Sequence, residues 1–312
     1  MKKIALSVAA LAVSAGAALA ADLPSRKGPP VLPPPPPPPP MWTGFYVGLN
    51  AGGTWANSNT TTIASAPAFI NAPALSVLGQ SYGPAAALAT SGVLSSGNGG
   101  GFIGGGQIGY NYQFYNNFVA GIEADIQGIA SSSQTARSAG LVDRALFTGG
   151  ALGVNFVSGA TAVSRNLDYI GTVRGRLGWL FTPTLLLYGT GGLAYGGVSS
   201  NVAIVGGQVP NTGSTDFATG GAFSDTRVGW TAGGGLEWMF MPNWSAKVEY
   251  LYYDLGTVTY NAAPSVTVLT GTNTLNFVNA HQVSTRFNGN IVRAGVNYHF
   301  NWGAPAPVVA KY

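Results

Sequence analysis

From Trp42 onward the chain repeats one pattern, a bulky apolar side chain at every second position with glycine, amide or charge between. In WTGFYVGLNAGGTW, residues 42–55, Phe45, Val47 and Leu49 share one parity, and Tyr46, Gly48, Asn50 and Gly52 share the other. Alternation with a period of two marks a strand whose faces meet different surroundings. Eight segments carry it, roughly 42–56, 100–114, 118–131, 165–181, 185–199, 225–240, 244–260 and 286–300. The links at 115–117, 182–184 and 241–243 are tight, whereas those near 57–99, 132–164, 200–224 and 261–285 are long. A further stretch, 146–157, is a candidate strand or loop hairpin, which leaves eight strands or ten open.

The two faces differ consistently. Phe102, Ile108, Tyr110, Tyr112 and Phe114 oppose Gln107, Asn111 and Gln113, and Phe118, Ile122 and Ile126 oppose Glu123, Asp125 and Gln127. Leu167, Tyr169, Val173, Leu177 and Trp179 oppose Asp168, Arg174 and Arg176, while Val228, Trp230, Leu236, Trp238 and Phe240 oppose Arg227, Thr231 and Glu237. Trp244, Val248, Tyr250 and Tyr252 oppose Lys247 and Glu249; Val292, Val296, Tyr298 and Phe300 oppose Arg293 and Asn297. The fifth segment, LLLYGTGGLAYG, is ambiguous between its parities. The aromatic side is too large and continuous for water, and the other side is too charged for a sandwich core. The pattern therefore predicts an all-β, eight-stranded antiparallel transmembrane up-and-down β-barrel of outer-membrane type over residues 42–300, apolar outside and polar within. Short turns facing the periplasm and longer loops facing outward place both termini in the periplasm. Phe114, Phe118, Phe181, Phe240 and Trp244 flank the short turns, where an interfacial girdle belongs.

Composition agrees with this reading. Only 8% of the 312 residues are charged, about a third of the soluble norm of roughly 25%. The 46 glycines and 20 prolines argue against a helical protein. Lys2 and Lys3, an apolar run from Ile4 to Val13 and the small-residue ending Ala18-Leu19-Ala20 read as a signal peptide, residues 1–20, cleaved after Ala18-x-Ala20. Cleavage removes two lysines and no acid, hence half of the formal net charge of +4. With no basic cluster left, nucleic acid is not an expected partner. Residues 21–41 include eight consecutive prolines, Pro33–Pro40, a stiff polyproline spacer expected in the periplasm. Residues 301–312 form an expected periplasmic tail. The absence of cysteine excludes disulfides, thiolate metal sites and a lipidated N-terminal cysteine.

The motifs ADLPSRK (21–27), WTGFYVGLNAGG (42–53), RGRLGW (174–179), YGTGGLAYG (188–196), GGGLEW (233–238) and VRAGVNYHF (292–300) span nearly the whole mature chain. Together they resemble the small, immunogenic, porin-like outer-membrane barrels of alphaproteobacteria. The resemblance implies an eight-stranded barrel in the outer membrane of a Gram-negative bacterium, in contact with outer-membrane lipid and lipopolysaccharide. It implies a structural role in envelope integrity with surface-exposed immunogenic loops; the alternatives are a small-solute porin and then a haem-binding or adhesive surface receptor. Arg293, Gly295, Tyr298 and Phe300 are similar to the final-strand signal read by the barrel-assembly machinery, although the chain continues past the aromatic with NWGAPAPVVAKY. In some barrels of this type an N-terminal Ala-Asp is joined to peptidoglycan, which makes Ala21 and Asp22 candidate attachment residues.

Candidate chemistry is sparse. Glu123, Asp125, Arg174, Arg176, Arg227, Glu237, Lys247, Glu249 and Arg293 share the inward parity, and pairs two apart project to one face. Eight strands leave an interior just wide enough to fill with side chains, so near-balanced charges there predict an ion-paired plug. Gly99, Gly101 and Gly104 have G-x-G-x-x-G spacing, but a strand follows where a dinucleotide site needs a helix. His281 is expected in the last long loop, solvated; as the one histidine distant from the turns it is the candidate haem ligand, with no cofactor the default and no metal site expected. His281 with Ser284 would need a carboxylate to make a hydrolase, and none lies at a convincing spacing. The chain is read as non-enzymatic.

Overall fold

The computed structural model describes residues 42–71, 77–97, 99–115, 117–131, 133–143, 156–209, 216–269 and 275–300. The signal peptide, the proline spacer, the C-terminal tail and most of 146–157 lie outside these, as do Ala18, Ala20, Ala21 and Asp22. The elements in chain order are β1 (Gly44–Ala56), β2 (Thr60–Asn71), α1 (Val77–Thr90), β3 (Gly92–Ser95), β4 (Gly100–Phe114), β5 (Phe118–Ser131), β6 (Gln134–Asp143), β7 (Phe156–Thr182), β8 (Leu185–Val209), β9 (Phe217–Met241), β10 (Trp244–Leu269) and β11 (Leu275–Phe300). Antiparallel pairing runs β1-β4-β5-β7-β8-β9-β10-β11 and closes where β11 pairs with β1, Phe45 opposite Phe300 through Ala56 opposite Gly289. Among the described residues the ring has eight strands, one for each alternating segment.

The alternation is realised in space. Leu49, Ile108, Ile122, Leu177, Leu193, Leu236, Val248 and Val296 are exposed on the outside, while Asn50, Gln107, Glu123, Arg176 and Glu237 are buried inside. Near the turns the outer aromatics touch one another. Phe114 stacks on Phe118 at 5.8 Å, Trp179 meets Phe181 at 4.5 Å, and Tyr298 contacts both Trp244 and Phe300 at 5.1 Å. Trp230 and Tyr252, 5.3 Å apart, mark the far border of the band. The turns are stitched sideways: the amides of Leu180, Met239 and His299 donate to the carbonyls of Asn117, Thr184 and Asn243, each at 2.8 Å.

Among the described residues the long links are largely strand and helix, not the solvated loops their composition suggests. β7 to β11 run for 25 to 27 residues, a length on the order of 60 Å along the axis at barrel tilt, about twice the apolar band. Their upper halves form a curved sheet beyond the barrel, extended by β2 and β3 on β11 and by β6 on β7. α1 packs into that sheet with Tyr82, Ala85, Ala86 and Ala89 buried against Ile63, Leu94, Val157, Val163, Val202 and Val283. Its last turn rests on the paired glycines Gly140 and Gly159, where an added Cβ would lie 2.6 Å from the Ala89 carbonyl oxygen. An alanine-rich helix buried on most sides carries no amphipathic stripe, which is why periodicity does not announce it.

Three irregularities, one in β7 and two in β10, reset which parity faces inward. Pairing of β7 with β8 slips between Leu167 and Tyr169. Toward the turns Ile170, Thr172, Arg174 and Arg176 point in; beyond the slip Val157, Thr161, Val163 and Arg165 do. Asp168 sits at the slip and is exposed, contrary to its expected inward place. In β10 one slip falls between Asp254 and Thr257, where Gly256 takes φ +80° and its amide donates to Asp254 Oδ1 at 2.9 Å, and a second falls between Ala262 and Ser265.

Candidate functional site

The interior of the barrel is the one place where the sequence concentrates ionisable groups, and register decides how they meet. Glu123 pairs directly with Arg174 across β5 and β7, Glu249 with Arg293 across β10 and β11, and Lys247 with Glu237 across β10 and β9. All of these side chains point inward, so ring closure brings four carboxylates and four cations to one level. Arg174 binds Glu123 at 2.5 Å, Asp125 at 2.8 Å and Glu249 at 2.8 Å. Arg293 reaches Asp125 at 2.9 Å and Glu249 at 2.6 Å. Lys247 Nζ sits 2.9 Å and 3.0 Å from the two Glu123 oxygens, and Arg176 binds Glu237 at 2.5 Å. Every one of the eight is at most 5% exposed. Buried charges on this scale persist only where pairing and hydrogen bonds offset desolvation, and the signs here balance.

Arg227 does not join them. It pairs with Gly196, farther along β8 than Gly192, the partner of Arg174, and so stands above the charged layer. Partly exposed, it donates to the Thr257 carbonyl at 3.4 Å.

Neutral groups complete the layer. Tyr46 donates to Glu123 at 2.7 Å and accepts from Arg176 at 2.9 Å. The Arg176 guanidinium lies 4.0 Å over the Tyr188 ring, whose hydroxyl donates to Glu249 at 3.2 Å. Ser245 and Asn297 donate to Glu237 at 2.6 and 2.7 Å. Tyr46 was detectable as the aromatic on the polar side of the opening ribbon; Tyr188 was hidden in the segment of ambiguous parity.

The charged layer lies between two apolar ones. Toward the turns Trp42, Val119, Leu180, Leu186, Tyr188 and Met239 form a buried cluster. Trp42 precedes β1, yet its Nε1 donates to the Pro183 carbonyl in the β7–β8 turn at 3.0 Å, and its ring meets His299 edge-on at 5.8 Å. In the other direction Ile103, Ile170, Ala194, Leu251 and Ile291 fill the interior. The inward face is thus hydrophilic over a middle zone only, not along its whole length.

His281 is buried in the projecting part of β11, not solvated. Its Nδ1 lies 2.8 Å from Ser65 Oγ and its Nε2 3.0 Å from Ser265 Oγ; burial holds its pKa below the ordinary value. Both ring nitrogens are thus within hydrogen-bond distance of serine hydroxyls. Ser284 projects from the other face of β11 and bonds Thr259 at 3.3 Å, so the hydrolase arrangement does not form. Of the expected assembly residues, Arg293 lies in the charged layer while Tyr298 and Phe300 join the outer girdle.

A closed antiparallel ring with an apolar outer band, aromatic borders and a buried ionic interior defines a membrane-spanning β-barrel. Residues 5–300 match the family described as Outer membrane protein beta-barrel domain, and the chain belongs to that family. It is 35% identical over 202 residues to the 31 kDa outer-membrane immunogenic protein of Brucella melitensis, covering 64% of this chain and 67% of that one. It is 30% identical over 159 residues to a 22 kDa outer membrane protein of Rhizobium leguminosarum bv. viciae, covering 50% and 55%. Among solved structures it is similar to the outer membrane protein OprG of Pseudomonas aeruginosa, at 9% identity and a TM-score of 0.31 over 83% of this chain and 97% of that one.

Proposed function

We propose that this barrel is a closed structural element of the outer membrane that contributes to envelope integrity and is not a diffusion channel. The observation carrying this reading is the layer of four carboxylates and four cations across the axis, each paired and buried. Trp42 adds a second closure at the turn end. A solute would have to break several buried ion pairs to pass, at a cost of several kcal/mol for each.

The alternation of short turns with long projecting strands supports an orientation with the turns and both termini in the periplasm and the projecting sheet outside. That sheet is then the surface-exposed, immunogenic part. Outer-membrane lipid and lipopolysaccharide surround the apolar band. The barrel-assembly machinery reads the final strand, and Ala21 or Asp22, ahead of the proline run in the sequence, is the candidate link to peptidoglycan. Planar-bilayer recording of the refolded chain tests the closed reading: a quiet baseline is expected, and steady single-channel steps lost on Arg174→Ala or Arg176→Ala would show a porin instead.

A further inference from the structure

Each buried cation of the charged layer has carboxylates beside it, but Arg165 does not. It is 7% exposed. Its Nη1 donates to Thr285 Oγ1 at 3.4 Å and to the Arg286 carbonyl at 3.3 Å, and its Nη2 donates to the Ser58 carbonyl. These neutral acceptors solvate the guanidinium without cancelling its charge. Among the described residues no carboxylate lies within ion-pair distance of it, and a buried unpaired charge is costly.

Arg165 also borders a cavity of about 70 Å³, several times the ~10–15 Å³ needed to hold one water. The cavity lies where β1, β4 and β5 stop while the other ring strands continue: Ala56, Gly101 and Ile129 line one side, Arg165 and Arg286 the other. No acid lines it among the described residues. Arg286 pairs with Asp254 and keeps a half-exposed side chain, so it retains donors for a second partner. Trp55 and Tyr253 also line it, placing it at the height of the Trp230–Tyr252 border, where the apolar band gives way to the headgroup zone.

We propose that this cavity is a binding site for a small tetrahedral oxyanion, a phosphate or sulfate group, held by Arg165 from within and Arg286 at the rim. Planar guanidinium groups match phosphate oxygens in geometry and charge. The group could belong to a free anion or to a phosphorylated lipid headgroup; the chemistry at the arginines is the same.

The test titrates the refolded full mature chain in micelles with inorganic phosphate and with sulfate, followed by calorimetry. One saturable site is expected, with a Kd on the order of 1 mM or tighter. Arg165→Gln should weaken it about tenfold or more and Arg286→Gln several-fold, while Arg137→Gln, at an exposed position on β6 outside this cavity, should leave it unchanged. Heat-modifiable gel mobility establishes that each variant is folded; if Arg165→Gln is not, Arg286→Gln decides alone. Displacement of phosphate by bicelles carrying phosphorylated lipid A, but not by its dephosphorylated form, assigns the site to a headgroup; no displacement by either assigns it to a free anion. No saturable uptake of phosphate, sulfate or phosphorylated lipid by the unaltered chain overturns the proposal, as does uptake that the deciding variants do not weaken.

Discussion

The indole nitrogen of Trp42 and the carbonyl of Pro183 are hydrogen-bonded at 3.0 Å across the turn end of the barrel, although the two residues stand on opposite sides of the ring. The side chain that opens the barrel sequence thus reaches the far wall and roofs the apolar layer beneath the charges. Trp42→Ala removes a buried indole and its bond, and should lower stability by about 3–5 kcal/mol. Urea unfolding in lipid vesicles measures this. The variant should remain non-conducting, because the charged layer stays in place.

Arg174 contacts three carboxylates. Arg174→Met leaves them with fewer cations in a buried setting, and should cost about 3–5 kcal/mol in the same unfolding experiment. Arg227→Met touches no ion pair and should change stability by no more than about 0.5 kcal/mol. Equal effects at the two positions would contradict the division between layer and rim.

Gly109 pairs with Tyr46, and a Cβ on it would sit 2.4 Å from the tyrosine ring. The glycine lets the ring lie flat and carry its hydroxyl into the charged layer. Gly109→Ala should displace Tyr46 and cost about 1–3 kcal/mol, with slower refolding checked by the heat-dependent gel shift. Gly175, where an added Cβ meets only a carbonyl oxygen at 3.9 Å, is the control.

His281 gives the projecting sheet a pH dependence of defined sign. Burial depresses its folded-state pKa, so the unfolded state binds the proton more tightly. Its contribution is complete above the unfolded value of about 6.5 and is lost as pH falls through the lower folded value. Protection against hydrogen exchange at β2 and the far part of β11, taken relative to the intrinsic rate at each pH, should therefore fall on acidification below about pH 6.5. His281→Gln should flatten that profile while leaving exchange in the membrane band unchanged.

The barrel was legible in the sequence because strand alternation is a local consequence of backbone geometry: Phe45, Val47 and Leu49 declare a face without reference to any other strand. The same reasoning marked Glu123, Asp125, Arg174, Arg176, Glu237, Lys247, Glu249 and Arg293 as inward. It misplaced Asp168 because a slip in pairing between β7 and β8 reverses parity, and it misplaced Arg227 because parity says nothing about height. It read 200–224 and 261–285 as loops because glycine, serine and threonine are loop-like in composition. Much of both stretches is strand, paired across β8, β9, β10 and β11.

Period and composition by themselves determined a barrel of eight or ten strands, its apolar outside and its charged inside, since these follow from one residue's relation to its immediate neighbours. Register, ring closure and pairing slips decided the rest: which acid meets which base, that Trp42 spans the mouth, that α1 fills the projecting sheet, and that Arg165 is left facing a cavity. Those features join residues far apart in the chain, and only the strand offsets that close the ring set their distances.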